Sequence, residues 1–264
     1  MTPDVVVDVG NTRIKWGLVS GGRITEVVAF DHDDPVGWKR CCELWGLTAS
    51  ARWALAGVVP RVMYRFEAWL TAHGMSARAV TNDLFNGDVF DDNVPFEFVT
   101  AVEEPEQIGI DRLLTAFAAW RRAPLGASAI ALNVGTAMTI DFVESSGMHR
   151  GGAILPGPRL MARSLHEYTA KLPLVEIDPE LPVTIWGENT ETAIELGIAN
   201  AILGVADQMV WDWASRRETP PAVFATGGDA GYFRGFVFTA DVSKFEIDPT
   251  LTLDGIRLAA EALP

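Results

Sequence analysis

Two stretches of this chain carry one pattern. Residues 5–19 read VVVDVGNTRIKWGLV, and residues 129–143 read AIALNVGTAMTIDFV. In each, an apolar run leads through a polar residue (Asp8, Asn133), a valine and a glycine into a threonine-containing turn, and a second apolar run follows. Short apolar runs joined by such turns read as strands of a hairpin. After each pair comes another turn, Ser20-Gly21-Gly22 or Ser145-Ser146-Gly147, and then a third strand, Ile24–Phe30 or Met148–Leu155. One order met twice restricts the fold to two similar halves, each opening on the same strands, the first as an antiparallel meander.

The remaining pattern supplies helices. Trp53–Val59 reads as a buried strand, and Val62–His73 carries apolar residues at helical spacing. Asp111–Arg122 presents Leu113, Leu114, Phe117, Ala118 and Trp120 as a stripe that ends at Pro124-Leu125-Gly126. A helix after Pro156-Gly157 runs to about Ala170, and Asn189 caps a long helix through Ile194, Ile198, Ile202 and Val205. Val223–Ala225 is a strand ending at Thr226-Gly227-Gly228, and a last helix holds Ile256, Leu258 and Ala259. Residues 82–109 show little regular pattern, with Asp91, Asp92, Asn93, Pro95 and Pro105 as breaks and Glu103, Glu104 and Glu106 as a solvated loop. Strands alternating with helices make an α/β chain, and no linker separates its halves.

Composition narrows the partners. A formal net charge of −14 over 264 residues disfavours nucleic acid and anionic membranes. It leaves anionic small ligands open, because clustered N–H donors bind phosphate against the global field. The two cysteines, Cys41 and Cys42, are adjacent and read as ordinary reduced thiols of a cytoplasmic protein. No basic-then-apolar leader opens the chain, and no stretch reads as a membrane span. His32, His73, His149 and His166 are scattered and read as surface or loop residues, and the nine tryptophans as core or interface.

Asp8-Val9-Gly10-Asn11-Thr12 puts a carboxylate at a strand end beside a glycine turn with exposed N–H groups and two hydrogen-bonding side chains. That suits phosphate with a hydrated Mg²⁺ beside it, with Lys15 within reach of the phosphoryl group. The same residues also make plain β-turns. Gly135-Thr136-Ala137 is a second such turn, and Gly227-Gly228 lets backbone approach a flat ligand such as a nucleoside. Asp111-Arg112 fits either a functional carboxylate or a helix N-terminal acid favoured by the dipole. The chain contains no G-x-x-x-x-G-K-[ST], G-x-G-x-x-G or H-E-x-x-H motif.

In its paired turns the chain resembles the acetate and sugar kinase, heat-shock protein and actin superfamily. More closely it is similar to the type III pantothenate kinases. The motifs are DVGNT at 8–12, GIDR at 109–112, NVGTAMTID at 133–141, GGAILPG at 151–157, TAKLP at 169–173, GENTETAIELGI at 187–198, TGG at 226–228 and LTLDGI at 251–256. The resemblance implies two tandem ribonuclease H-like (actin-like) domains, residues 1–115 and 116–264. Each would be a mixed five-stranded sheet flanked by helices, with the site in the cleft between them and a dimer interface on the second. It implies ATP as co-substrate, Mg²⁺, and K⁺ or NH₄⁺ as a monovalent cation. It implies Asp8, Gly10, Asn11, Thr12, Lys15, Gly135, Thr136, Gly227 and Gly228 at the nucleotide and metal, and Asp111 as general base on pantothenate. Gly109, Ile110 and Arg112 would lie at the substrate, and Thr190 would reach the pantothenate of the other subunit of a homodimer with shared sites.

Two positions depart from the family pattern. Asn133 stands where relatives usually carry an aspartate that helps bind the monovalent cation, so a weaker or absent cation site is expected. Val102 stands where many relatives carry a tyrosine upstream of the G-x-D-R motif. The implied reaction is phosphorylation of pantothenate to 4′-phosphopantothenate, the first step of coenzyme A biosynthesis. The alternatives are a regulatory member that binds nucleotide or pantothenate without efficient turnover, and a kinase of the same fold acting on another small alcohol.

Overall fold

The computed structural model describes residues 2–86, 97–180 and 185–263. Asp91, Asp92, Asn93 and Pro95 therefore lie outside the described residues. The chain divides into two compact units: Met1–Ala118 with Gly147–His149 and Thr250–Pro264, and Ala119–Ser146 with Arg150–Pro249.

In the first unit β1 (Val5–Val9), β2 (Ile14–Ser20) and β3 (Arg23–Phe30) form the expected antiparallel meander. A helix α1 (Pro35–Leu44) follows, then β4 (Arg52–Gly57), α2 (Pro60–Ala72) and β5 (Ser76–Ala79). The sheet order is β3-β2-β1-β4-β5, with β1–β4 and β4–β5 parallel. Alternation along β1 sends Val5, Val7 and Val9 to one face, and Val6 and Asp8 to the other. Val5, Val7 and Val9 join a core of Ile14, Trp16, Trp38, Trp53, Phe66 and Leu70. Trp16 centres this core, its ring 4.8 Å from Phe30 and 4.9 Å from Trp53.

The unit also holds a short strand β6 (Val99–Thr100), most of α3 (Ile110–Arg122) and, from the chain's end, α6 (Leu251–Ala262), which packs on β1 and β4. Helices α3 and α6 meet at backbone distance: a Cβ on Gly255 would lie 2.1 Å from the Leu114 carbonyl oxygen. Adjacent positions of one helix turn by about 100°, which lets α1 bury both Cys41 and Cys42 without bridging them. Burial pushes their thiols up to about 12 and 11, so neither is a ready nucleophile.

The second unit repeats this plan. Its strands are β7 (Ala129–Val134), β8 (Ala137–Val143), β9 (Met148–Pro156), β10 (Ala222–Thr226) and β11 (Lys244–Ile247). They run in the order β11-β10-β7-β8-β9, with β7–β8 antiparallel and β7–β10 and β10–β11 parallel. β9-β8-β7-β10-β11 thus copies β3-β2-β1-β4-β5. This sheet is counted as six-stranded rather than five, because the two-residue β6 pairs with Met148 and His149 at the start of β9. Those two residues cluster with the first unit.

Two helices, α4 (Pro158–Glu167) and α5 (Thr190–Ala214), complete the second unit. Helix α4 stops three residues before Ala170, where the Thr169 hydroxyl donates to the Leu165 carbonyl and His166 bonds the Leu172 carbonyl. Helix α5 is long and apolar enough to cross a bilayer, contrary to the expectation that no stretch is. Its Ile202, Ala206 and Val210 are buried against Ile130, Leu132, Met138 and Val223 of the sheet. His149 also departs from expectation. It is fully buried, bonds the Thr100 hydroxyl at 2.9 Å and stacks on Phe98.

Candidate active site

In the first unit the β1–β2 turn spans Gly10–Arg13 and is closed by the Gly10 N–H donating to the Arg13 carbonyl at 3.1 Å. Asn11 and Thr12 are exposed at its tip. Asp8 sits one residue before the strand end, opposite Lys15 in register. Loss of hydration pushes its carboxyl up to about 6; Lys15 pulls it down, and the Asp111 charge pushes it up. The structure therefore brings Asp8, Lys15 and Asp111 into one electrostatic neighbourhood.

Asp111 occupies the first turn of α3. Its Oδ1 accepts from the Arg112 N–H at 3.0 Å, and its carbonyl accepts from the Thr115 hydroxyl at 2.6 Å. The Thr115 hydroxyl also lies 2.8 Å from that of Thr252 on α6. A Cβ on Gly109 would fall 2.5 Å from Asp111 Oδ1, so a side chain there would push the carboxylate aside. Ile110 is 5% exposed, so its side chain is core and only its backbone is available to a ligand. Asn82 was not singled out by sequence, yet its amide donates to the Ile108 and Pro105 carbonyls at 2.7 and 3.1 Å. It braces the approach to α3 from a stretch without pattern, so nothing local announced it.

In the second unit the β7–β8 turn is one residue shorter: Val134 pairs with Met138, whereas Val9 pairs with Ile14. Gly135 N–H donates to the Ala137 carbonyl at 3.0 Å, and Thr136 is exposed. Two glycines press on this turn. A Cβ on Gly157 would lie 1.8 Å from the Gly135 carbonyl oxygen, and Gly157 N–H donates to the Thr136 carbonyl at 3.0 Å. Gly227 has φ +99° and leaves no space for a Cβ, which would sit 2.2 Å from the Val134 carbonyl oxygen and 2.8 Å from Asn133 Oδ1.

The unit thus gathers Asn133, Gly135, Thr136, Gly227 and Gly228 at the carboxyl ends of β7 and β10. Asp229 closes the group. Its N–H donates to the Val134 carbonyl, and its buried carboxylate accepts from Arg159 at 3.0 Å. Burial pushes that carboxyl up while Arg159 holds it down. Thr190 lies elsewhere, at the first helical position of α5. It borders an apolar groove of about 610 Å³ lined by Met161, Leu165, Leu172, Ile194, Gly197 and Ala201.

No group of three or more His, Cys, Asp or Glu side chains suited to a metal occurs among the described residues. Mg²⁺ needs no such cage, since one or two carboxylates with water and phosphate oxygens complete its shell. Asp8, ionised with difficulty and close enough to Asp111 to feel its charge, is a fitting donor for a dication.

The family model for type III pantothenate kinase matches residues 5–212. The chain belongs to this family. Type III pantothenate kinases of Gluconobacter oxydans and Synechococcus sp. are 32% and 30% identical to it. The alignments cover 97% and 94% of this chain, and 92% and 88% of theirs. Among solved structures, a Campylobacter jejuni protein assigned to the Baf family of transcriptional activators superposes with a TM-score of 0.60 at 14% identity, covering 97% of both chains. The activator of 2-hydroxyisocaproyl-CoA dehydratase from Clostridium difficile does so with a TM-score of 0.51 at 11% identity, covering 99% and 96%. At such identities these two likenesses concern the fold, two ribonuclease H-like units. At the second turn of this type III pantothenate kinase, Asn133 offers an acceptor oxygen but no charge.

Proposed function

We propose that Asp111 is the general base in the reaction of this family, ATP-dependent phosphorylation of pantothenate on the way to coenzyme A. The observation that carries the assignment is the Asp111 carboxylate, set at the head of α3 by Gly109 and Thr115 and coupled electrostatically to Asp8. A primary alcohol is a weak nucleophile. A carboxylate within hydrogen-bond reach takes its proton as oxygen bonds to the γ-phosphorus and the bond to ADP breaks. Asp8, with water and phosphate oxygens, would hold Mg²⁺. When bound, that ion supplies charge neutralisation at the transferred phosphoryl group.

The backbone of Gly10–Thr12 and Gly135–Thr136 donates to phosphate oxygens, Lys15 adds a cation, and Gly227–Gly228 let the nucleoside approach closely. Gly109, Ile110 and Arg112 serve pantothenate through backbone and guanidinium. Thr190 and the apolar groove beside it form the contact with a second copy of the chain, making a cytoplasmic homodimer with shared sites. Asn133 makes the monovalent cation dispensable. The intact Asp8 and Asp111 and the kinase relatives leave the regulatory reading without a supporting observation.

The test is product formation from MgATP and pantothenate followed by mass, with and without K⁺ or NH₄⁺, beside Asp111→Asn. The expected result is product from the parent in both salts and a loss of about 10²–10⁴-fold in kcat for the variant. A variant as active as the parent would remove Asp111 from the chemistry. Steep dependence on K⁺ would overturn the reading of Asn133.

A further inference from the structure

We propose that His32 is a positioning residue for nucleotide binding, because its ring fixes the peptide plane that aims a phosphate-facing N–H of the first turn. The inference rests on the reading of Gly10–Thr12 as a phosphate turn. His32 Nε2 lies 2.9 Å from the Gly10 carbonyl oxygen. A carbonyl only accepts, so Nε2 carries the proton and donates. The Gly10–Asn11 peptide is trans and planar, so its C=O and N–H point in opposite directions. Holding the carbonyl toward His32 therefore holds the Asn11 N–H away from it.

The plane needs a tether from outside. Its rotation is governed by ψ of Gly10 and φ of Asn11, the residue types least constrained by their own sterics. Turned over, the same peptide would present a carbonyl oxygen where an anion is to sit, exchanging attraction for repulsion. The bond from the Gly10 N–H to the Arg13 carbonyl does not fix this plane, since that N–H belongs to the preceding peptide.

His32 is itself held from two sides. Arg65 of α2 donates to the His32 carbonyl and pairs with Asp33 at 3.3 Å. Two residues on, Asp34 caps α1, its Oδ1 accepting from the Gly37 N–H at 2.8 Å. The imidazole is thus presented by a segment tied to two helices that pack on the sheet carrying the turn.

The experiment compares the full-length parent with His32→Ala, His32→Asn, His32→Gln and Thr12→Ala. The readouts are the Kd of a non-hydrolysable MgATP analogue by calorimetry, KM for pantothenate and the melting temperature. A glutamine amide reaches as far as Nε2, and an asparagine amide does not. The expected result is a Kd raised about tenfold in His32→Ala and His32→Asn, the worth of one well-placed hydrogen bond. His32→Gln should stay within about twofold of the parent, and KM for pantothenate should be unchanged in all three.

A lowered melting temperature with an unmoved Kd would mean a merely structural histidine and overturn the proposal. So would His32→Gln behaving like His32→Asn, a contrast that survives even if His32→Ala does not fold. Thr12→Ala separates the two levels. If it weakens nucleotide binding and His32→Asn does not, the proposal alone falls. If neither weakens it while the parent turns over, the phosphate turn itself is misassigned.

Discussion

Asp8 is ionised at a cost to the fold. Its carboxyl titrates near 6 in the folded protein, against an ordinary value near 4, chiefly through lost hydration. A raised acid is favoured in its protonated form by the native state. The penalty is therefore absent below about pH 4, grows between pH 4 and 6, and is complete above 6. Asp8→Asn should accordingly be more stable than the parent at pH 8 by about 1–2 kcal/mol, and no more stable at pH 4. The full shift would give about 3 kcal/mol, and partial exposure and the lost attraction to Lys15 reduce it. Denaturant melts at the two pH values check this, and the same variant should lose MgATP turnover. Gly157 makes a steric counterpart. Its φ is an ordinary −74°, so Gly157→Ala tests contact alone: a methyl 1.8 Å from the Gly135 carbonyl oxygen must displace the second turn. A loss of about 1–3 kcal/mol with a raised KM for ATP is expected, measured by melts and initial rates. At this scale the sequence marked the strand-end residues that the proposal places at the nucleotide and metal, Asp8, Gly10, Gly135 and Gly227. It did not show the partners of His32 and Gly157 at the two turns, or of Asn82 ahead of α3, because those partners are 22 or more residues away.

Elements were legible where they had a buried face and a local end signal. Helix α5 is such a case. Asn189 Oδ1 accepts from the Thr192 N–H at 2.9 Å while the Thr192 hydroxyl reaches the Asn189 N–H at 3.2 Å, a reciprocal cap visible as Asn-x-x-Thr. Asn189→Ala should cost about 1 kcal/mol in a denaturant melt, and Asn189→Ser much less. Helix α1 carried the same kind of signal, Asp34 before Pro35, with Trp38, Cys41 and Cys42 at helical spacing. Its apolar face is only three residues deep, too little to stand out between strands. The edge strands β5 (SARA) and β11 (KFEI) alternate polar and apolar residues, but over four positions only and with no fully buried residue, too short a run to stand out. Strand β6 is only two residues long, and its partner lies some 49 residues on, beyond any local pattern.

For the molecule as a whole, the decisive fact is that one strand plan occurs twice, β3-β2-β1-β4-β5 and β9-β8-β7-β10-β11. The echo of fifteen residues announced this, although the return of α6 to the first unit has no signal in its own residues. The second unit carries something the first does not: a 25-residue helix that is apolar on most of its circumference and buries only one side against its sheet. Its remaining apolar side, with Ala193, Gly197 and Ala201, opens on the groove that Thr190 borders. Small residues there would let a second helix approach closely, and Gly197 has nothing within 4 Å of an added Cβ. If a second copy docks on this face and Thr190 serves that copy's pantothenate, two differently damaged chains should repair each other. Asp111→Asn and Thr190→Arg would each be inactive alone. Mixed and re-equilibrated in equal amounts, half of the dimers would be hybrids, each with one site having both residues intact. The mixture should then recover about a quarter of parental kcat, because symmetry pairs Asp111 of each chain with Thr190 of the other. Sedimentation of each variant must first show a dimer. Recovery to that level would establish shared sites, whereas a mixture of dimers as inactive as its components would confine each site to one chain and leave Thr190 as no more than the first residue of α5.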